Sequence, residues 1–451
     1  MGSYEFWQAV QYGNVDDVRL ALDRGGDVNA VDNDGRTPLH IASETGVTGR
    51  IDVCALLIDR GANVNAVNKF GKLTPLHFAS KSGHKNVCKL LLDNGADANA
   101  NNNGWTPLCA ASQNGHKDVC ALLLDRGADV NAKEKDGWTS LHWASMKGHK
   151  DVCALLIDHG AADVTAKEEE EGRTPLHLAS HNGNTDVCAL LIERGADVNS
   201  KSKYEATSLH WASEYNHKDV CALLIDSGAN VNAAKNTGST PLYIASQNGH
   251  KDVCALLLKH RADVNAARNT GATPLFIASQ KGHKDVCALL INHGADVNAK
   301  NGNGCTPLFI ASQKGHEDVC AMLKAHVQKM AEERRLAEET EERRLAEVVP
   351  AAVQSVLQHG GTSARYIQSV IIELGKKRDR DSNDNNISSS SSSSSSSSCT
   401  PSCPVCCEEK VPMVAFTACG HVVCKTCEPR CNKKCPICRK PSTSMLPLFF
   451  S

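Results

Sequence analysis

Residues 104–132 read GWTPLCAASQNGHKDVCALLLDRGADVNA, and residues 271–299 read GATPLFIASQKGHKDVCALLINHGADVNA. One plan underlies both, and it recurs along the chain. The threonine of a T-(P/S)-L triplet falls at 37, 74, 106, 139, 174, 207, 240, 273 and 306, with the last four intervals all 33 residues. Short insertions, such as TGR at 48–50 and EEEE at 168–171, accompany the irregular intervals. Self-similarity at a fixed period of this size predicts a solenoid.

Each copy spells its own local structure. Thr106 is placed to cap a helix, and Pro107 takes the first helical position, where a missing N–H costs nothing. Gly115 supplies the left-handed residue that ends the helix. A second helix sets Val119, Leu122 and Leu123 on one face and stops at Gly127, and ADVNAKEKDG then offers the Asn, Asp and Gly of an exposed turn. Two short helices cannot bury their apolar faces alone, so neighbouring copies must cover them.

With its T-P-L-H opening, GH, LLL and GADVN, the unit resembles the ankyrin repeat over residues 1–325, in about ten copies. The first copy, YEFWQAVQYGNVDDVRLALDRGGDVNA, is degenerate and cap-like. The resemblance implies a mostly α chain, a solenoid of helix pairs with β-turn tips that binds another protein on its concave face. Departures from the pattern are Ser140 and Ser208 for proline, Cys109 for histidine and Glu205 for the turn glycine, each expected to loosen one repeat. His40, His77, His142, His177 and His210, with a second series including His84, His116, His149 and His250, recur with the period and read as hydrogen-bonding ties between repeats. Trp143 and Trp211 are expected to pack in the core. The residues before each threonine vary while the framework does not, and aromatic and arginine side chains dominate binding hot spots. Trp105, Trp138 and Met146 are therefore the candidate anchor for an unknown protein substrate, with His181 and Tyr215 among the variable positions of the helices.

Composition narrows the function classes. A formal net charge of −2 over 451 residues supplies no general pull toward nucleic acid or an anionic membrane. No run of 18 apolar residues occurs, and the opening MGSYEFWQAV lacks the regions of a secretion signal. A cytoplasmic chain is expected, with a nuclear location left open and no membrane insertion. Of 21 cysteines, eleven lie up to residue 320, nine of them in DVCALL-like contexts, and ten lie between 399 and 438. The first group reads as small packing residues and the second as metal ligands; both require a reducing compartment.

Between the two groups the composition changes. Residues 326–349 are rich in Ala, Glu, Arg and Leu and predict a charged spacer helix with pairs such as Arg334/Glu338 and Arg335/Glu339. Leu336 and Leu345, nine residues apart, fall on opposite sides of it, a poor coiled-coil seam. Pro350 is expected to break this helix, residues 350–375 to form a helical hairpin, and residues 376–402, ending in eleven consecutive serines at 388–398, to be a disordered linker.

Residues 403–439 carry Cys403-x2-Cys406, Cys419-x-His421, Cys424-x2-Cys427 and Cys435-x2-Cys438. Thiolate and imidazole pairs at this spacing suit tetrahedral Zn²⁺, and eight ligands hold two structural ions. So short a segment, with few large apolar side chains, needs the metal in order to fold. The C3HC4 order resembles the RING finger. That resemblance implies a cross-brace, with Cys403, Cys406, Cys424 and Cys427 on one zinc and Cys419, His421, Cys435 and Cys438 on the other. It also implies an E2-binding patch of Val405, Pro436 and Ile437, and a linchpin role toward E2 and ubiquitin for Arg439. The tryptophan that often precedes the last pair is missing. The tail at 440–451 resembles those of inhibitor-of-apoptosis and mind-bomb RINGs, which implies a homodimer contact through Leu446, Leu448, Phe449 and Phe450. Together the parts predict an E3 ubiquitin ligase without a covalent enzyme–ubiquitin intermediate. The alternative is a non-catalytic scaffold whose zinc module only dimerises.

Overall fold

The structure is a computed structural model that describes residues 3–44, 50–358, 413–416, 422–424 and 445–448. It divides into two units, Met1–Lys329 and Met330–Ser451.

The first unit is a stack of ten helix pairs, numbered here by repeat, with Thr37 capping the first helix of repeat 2 and Thr306 that of repeat 10, each repeat beginning in the turn that leads into its threonine, as at Glu168 and Lys235. First helices pack on first helices and second helices on second helices, giving two layers with the turns along one edge. In repeat 4 the first helix is Pro107–Gln113 and the second Lys117–Asp125, and Thr106 Oγ1 accepts from Cys109 N at 3.3 Å. The core runs unbroken from Phe6 to Leu323. Leu39, Leu76, Leu108, Leu141, Leu176 and Leu209, from the triplets of repeats 2–7, are fully covered. Each such leucine is worth roughly 1.5–3 kcal/mol relative to exposure, and the neighbouring repeat supplies part of the cover.

Polar ties join the repeats at three levels. In repeats 2, 3, 5, 6 and 7 the threonine N–H donates to a histidine Nδ1, as Thr37 does to His40 at 3.0 Å. That bond fixes the proton on Nε2, which donates to a carbonyl of the following repeat: His40 to Leu73 O at 3.0 Å, His210 to Ser239 O at 3.1 Å. A second series reaches backward, as His116 Nε2 does to Lys81 O at 2.9 Å. At the turns, Asn29, Asn65, Asn99 and Asn131 each accept from a backbone N–H of the next repeat, and Asn199, Asn232 and Asn265 continue the row. Repeat 5 carries Thr165 at this position, and its hydroxyl bonds to Asp163 of its own turn.

Two expectations need amendment. The helix that opens with the last repeat runs without interruption from Glu317 to Gln358, so a separate spacer beginning at 326 and a break at Pro350 are both absent. No glycine or asparagine lies between 317 and 358 to stop it, and strong helix formers flank the proline. Its charged pairs include Arg335–Glu332 at 2.6 Å, Arg335–Glu339 at 3.9 Å and Arg344–Glu341 at 3.6 Å. The remainder of the expected hairpin, 359–375, and the serine linker lie outside the described residues. In the second unit, β1 (Met413–Phe416) pairs antiparallel with β2 (Val422–Cys424) and with β3 (Met445–Leu448), in the order β2-β1-β3.

Glu205, where the turn glycine is missing, adopts φ 58°, a left-handed conformation that costs a side-chain-bearing residue roughly 1–2 kcal/mol. Glycine relieves this but gains entropy when unfolded, so Glu205→Gly is expected to raise stability by about 0.5–1 kcal/mol in a urea titration. Burial holds the imidazoles of His77, His142 and His177 down to about 4 and that of His210 to about 3, and lowers His40 as well. The unfolded chain takes up protons near 6.5 that the folded one refuses. Their stabilisation is complete above that pH and is lost as pH falls toward 4, by up to about 1.4 kcal/mol per unit per histidine. Tyr243, Phe276 and Phe309 replace histidine in repeats 8–10. Hydrogen exchange across pH 7 to 5 should therefore show protection falling faster in repeats 2, 3 and 5–7 than in repeat 4, where Cys109 stands in place of histidine, and in repeats 8–10.

Candidate functional site

Histidine and cysteine are the residues of the stack most suited to chemistry, and the fold uses both for structure. Among the described residues, no three His, Cys, Asp or Glu side chains converge to hold a metal ion. Cys88, Cys120, Cys153, Cys221 and Cys254 have no exposed surface, and burial pushes their thiols up to about 12. Each Sγ lies near a serine hydroxyl eight residues earlier, 3.7 Å for Ser80 and Cys88. A thiol so protonated is not a nucleophile.

The variable residues do converge. Trp143 stands between the two candidate anchors: its ring centroid is 5.5 Å from that of Trp105, nearly perpendicular, and 4.6 Å from that of Trp138. The Arg173 guanidinium lies 5.8 Å over Trp138, steered by Glu168 at 3.3 Å and Glu171 at 3.5 Å. Burial alone would raise the Glu168 carboxyl. It is held below its usual range because the backbone N–H groups of Arg173, Glu170 and Glu171 donate to it and the Arg173 charge faces it. Trp143 Nε1 donates to Glu134, whose half-buried carboxyl is pushed up by desolvation. Met146, half-buried, follows Trp143 by one helical turn on Ser140–Lys147.

Trp143 thus departs from the core packing expected of it. Where the same position carries Leu178 or Ile244 the side chain is 3% or 7% exposed. An indole is too large for that slot and emerges among its neighbours. Trp211 is likewise only half-buried, under Lys235 at 5.2 Å and beside His181 at 5.6 Å, with His181 and Tyr215 at 4.2 Å. The sequence signal for Trp143 was its spacing. A residue just before the cap and one five later share a side of the helix start, as Trp138 and Trp143 do.

Of the metal-binding end, the backbone describes part. Strand β2 ends at Cys424, opposite Met413, and the connection from β1 to β2 carries positions 419 and 421. Leu446 and Leu448 fall on β3, opposite Ala415 and Met413. Cys403, Val405, Cys406, Cys419, His421, Cys427, Cys435, Pro436, Ile437, Cys438, Arg439, Phe449 and Phe450 lie outside the described residues.

The family profile described as ankyrin repeats (3 copies) matches residues 5–68, 49–134, 131–202, 199–268 and 265–332. The chain is an ankyrin-repeat protein. A second profile, zinc finger, C3HC4 type (RING finger), matches residues 400–445 of this ankyrin-repeat protein. No curated protein matches it. Ankyrin repeats together with a RING finger fit a protein-interaction role. No helix among the described residues is long and apolar enough to cross a membrane.

The ankyrin thiols give a direct check on their structural role. Brief iodoacetamide labelling of the native protein, read by mass spectrometry, should leave Cys88, Cys120 and Cys153 unmodified while Cys305, which is partly exposed, reacts. Labelling should become uniform in urea.

Proposed function

We propose that this protein is a RING-type E3 ubiquitin ligase whose ankyrin face holds a protein substrate while the RING recruits a ubiquitin-charged E2. The observation that carries the reading is the pairing in one chain of an ankyrin stack, bearing an aromatic cluster at its variable positions, with a C3HC4 finger. Trp105, Trp138 and Met146 are the proposed substrate contacts.

Eight ligands in C3HC4 order, within the region that the zinc-finger profile matches, support two zinc ions held in a cross-brace. Cys403, Cys406, Cys424 and Cys427 would hold one ion, and Cys419, His421, Cys435 and Cys438 the other. Bound zinc supplies folding free energy and takes no part in the transfer. Val405, Pro436 and Ile437 are the proposed E2 contacts. Arg439 would restrict the E2–ubiquitin thioester to an attack-ready orientation, which accelerates transfer to a substrate lysine without a covalent intermediate on this chain. Strand β3 is an edge of its sheet, and Leu446 and Leu448 upon it, with Phe449 and Phe450, are the proposed homodimer contacts.

Autoubiquitination with E1, a panel of E2 enzymes and ubiquitin tests the reading. Chains are expected from the native protein and should be lost with Arg439→Ala and after zinc chelation. Silence across the panel from a sample shown to carry two zinc ions would leave a scaffold.

A further inference from the structure

Cations from one repeat cover the aromatic rings of the repeat before it. Lys235, five residues before Thr240, lies 5.2 Å over Trp211, and Arg268, five before Thr273, lies 5.4 Å over Tyr243. Each completes an attraction between a positive charge and the negative face of a ring. At Trp143 the arrangement fails. The residue that the following repeat brings to this register is Glu168, which bonds to Arg173 O as Lys235 does to Ser239 O but stands six residues before its threonine; its carboxylate is turned into its own loop, where it accepts from Glu170 N, Glu171 N and Arg173 N. Arg173 is spent on Trp138. Trp105 and Trp143, with an interplanar angle of 85°, meet in a corner, and both are partly exposed.

A carboxylate stands at this corner. Glu134 accepts from Trp143 Nε1, and among the described residues it is paired with no lysine or arginine. A partly desolvated carboxylate without a cation is costly, and burial accordingly raises its proton affinity. Two indole faces and an unpaired carboxylate complement one kind of group, a positive charge on an apolar stem.

We propose that the Trp105–Trp143 corner, with Glu134 as counter-ion, is a binding site for a lysine or arginine side chain of the protein held on the ankyrin face. This rests on the reading of that face as a protein-binding surface and names what the bound protein must present there. The incoming cation takes the place that Lys235 and Arg268 fill within the chain at later repeats. Its stem lies against the indoles, and its charged end reaches Glu134.

The test uses the full chain labelled with 5-fluorotryptophan, whose five indoles are assigned by single substitution and followed by ¹⁹F NMR. Probes are the N-acetyl methylamides of lysine, trimethyl-lysine and arginine, with the norleucine counterpart as the uncharged control. Saturable shifts at Trp105 and Trp143 are expected from the cationic probes and not from norleucine. The order among the three separates an ammonium site from one suited to guanidinium or to a methylated cation. Glu134→Gln keeps an oxygen for Trp143 Nε1, so the fold should survive, as an unchanged melting curve would verify. It should weaken cation binding about tenfold. No saturable shift from any cation, equal shifts from norleucine, or undiminished binding in the Gln variant would each overturn the proposal. None of these readings depends on ubiquitin transfer. A protein that binds cations here but makes no ubiquitin chains would lose the ligase reading alone.

Discussion

No repeat of this stack can cover its own triplet leucine. The residue reaches zero exposure only because a neighbour is already in place, and every other feature of the first unit depends on that mutual requirement. Stability is then a chain of nearest-neighbour terms rather than the property of one central core. Polar ties follow the same rule. A histidine whose two ring nitrogens face opposite ways, one toward its own threonine and one toward the next repeat, joins local capping to stacking in a single side chain.

This arrangement explains which parts were legible in the sequence. Helix positions and their ends follow from Thr, Pro and Gly at fixed offsets, signals that act within a few residues. Trp105 and Trp138 could be singled out because they vary where the framework is constant. Trp143 was misplaced because its surroundings come from residues up to 38 positions away, and no local pattern encodes the size of the slot. Glu134 and Arg173 were missed as members of the cluster for the same reason. The long last helix is the opposite case: Pro350 by itself reads as a stop signal, but the absence of any glycine across that segment prevails.

The stack also separates structure from recognition by chemistry. The histidines three residues after the capping threonines are buried, neutral and committed to bonds within the framework, and cysteines such as Cys88 and Cys120 are buried and protonated. Recognition is left to the positions where copies differ, and there the chain has gathered indoles, a guanidinium and carboxylates within a few ångströms. A solenoid built this way can change what it binds without altering how it folds.

Thr165 shows the limit of that independence. Along the turn edge, asparagines clasp each repeat to the next on both sides of it, but between repeats 5 and 6 the asparagine clasp is replaced by a lysine, Lys167 Nζ donating to Lys201 O at 2.7 Å. What spans that joint at the outer ends of the helices is Arg194 on Asp158, two contacts at 2.8 and 3.0 Å, with Asp158 exposed and Arg194 partly so. Comparable ion pairs at Arg60–Asp23 and Arg126–Asp93 have the asparagine beside them. Salt screens exposed charge pairs and leaves amide hydrogen bonds largely untouched. Ionic strength therefore acts unevenly on this molecule, and one joint that rests on exposed charges lies beside the tryptophan cluster, so the compliance of the recognition face is tied to the salt around it.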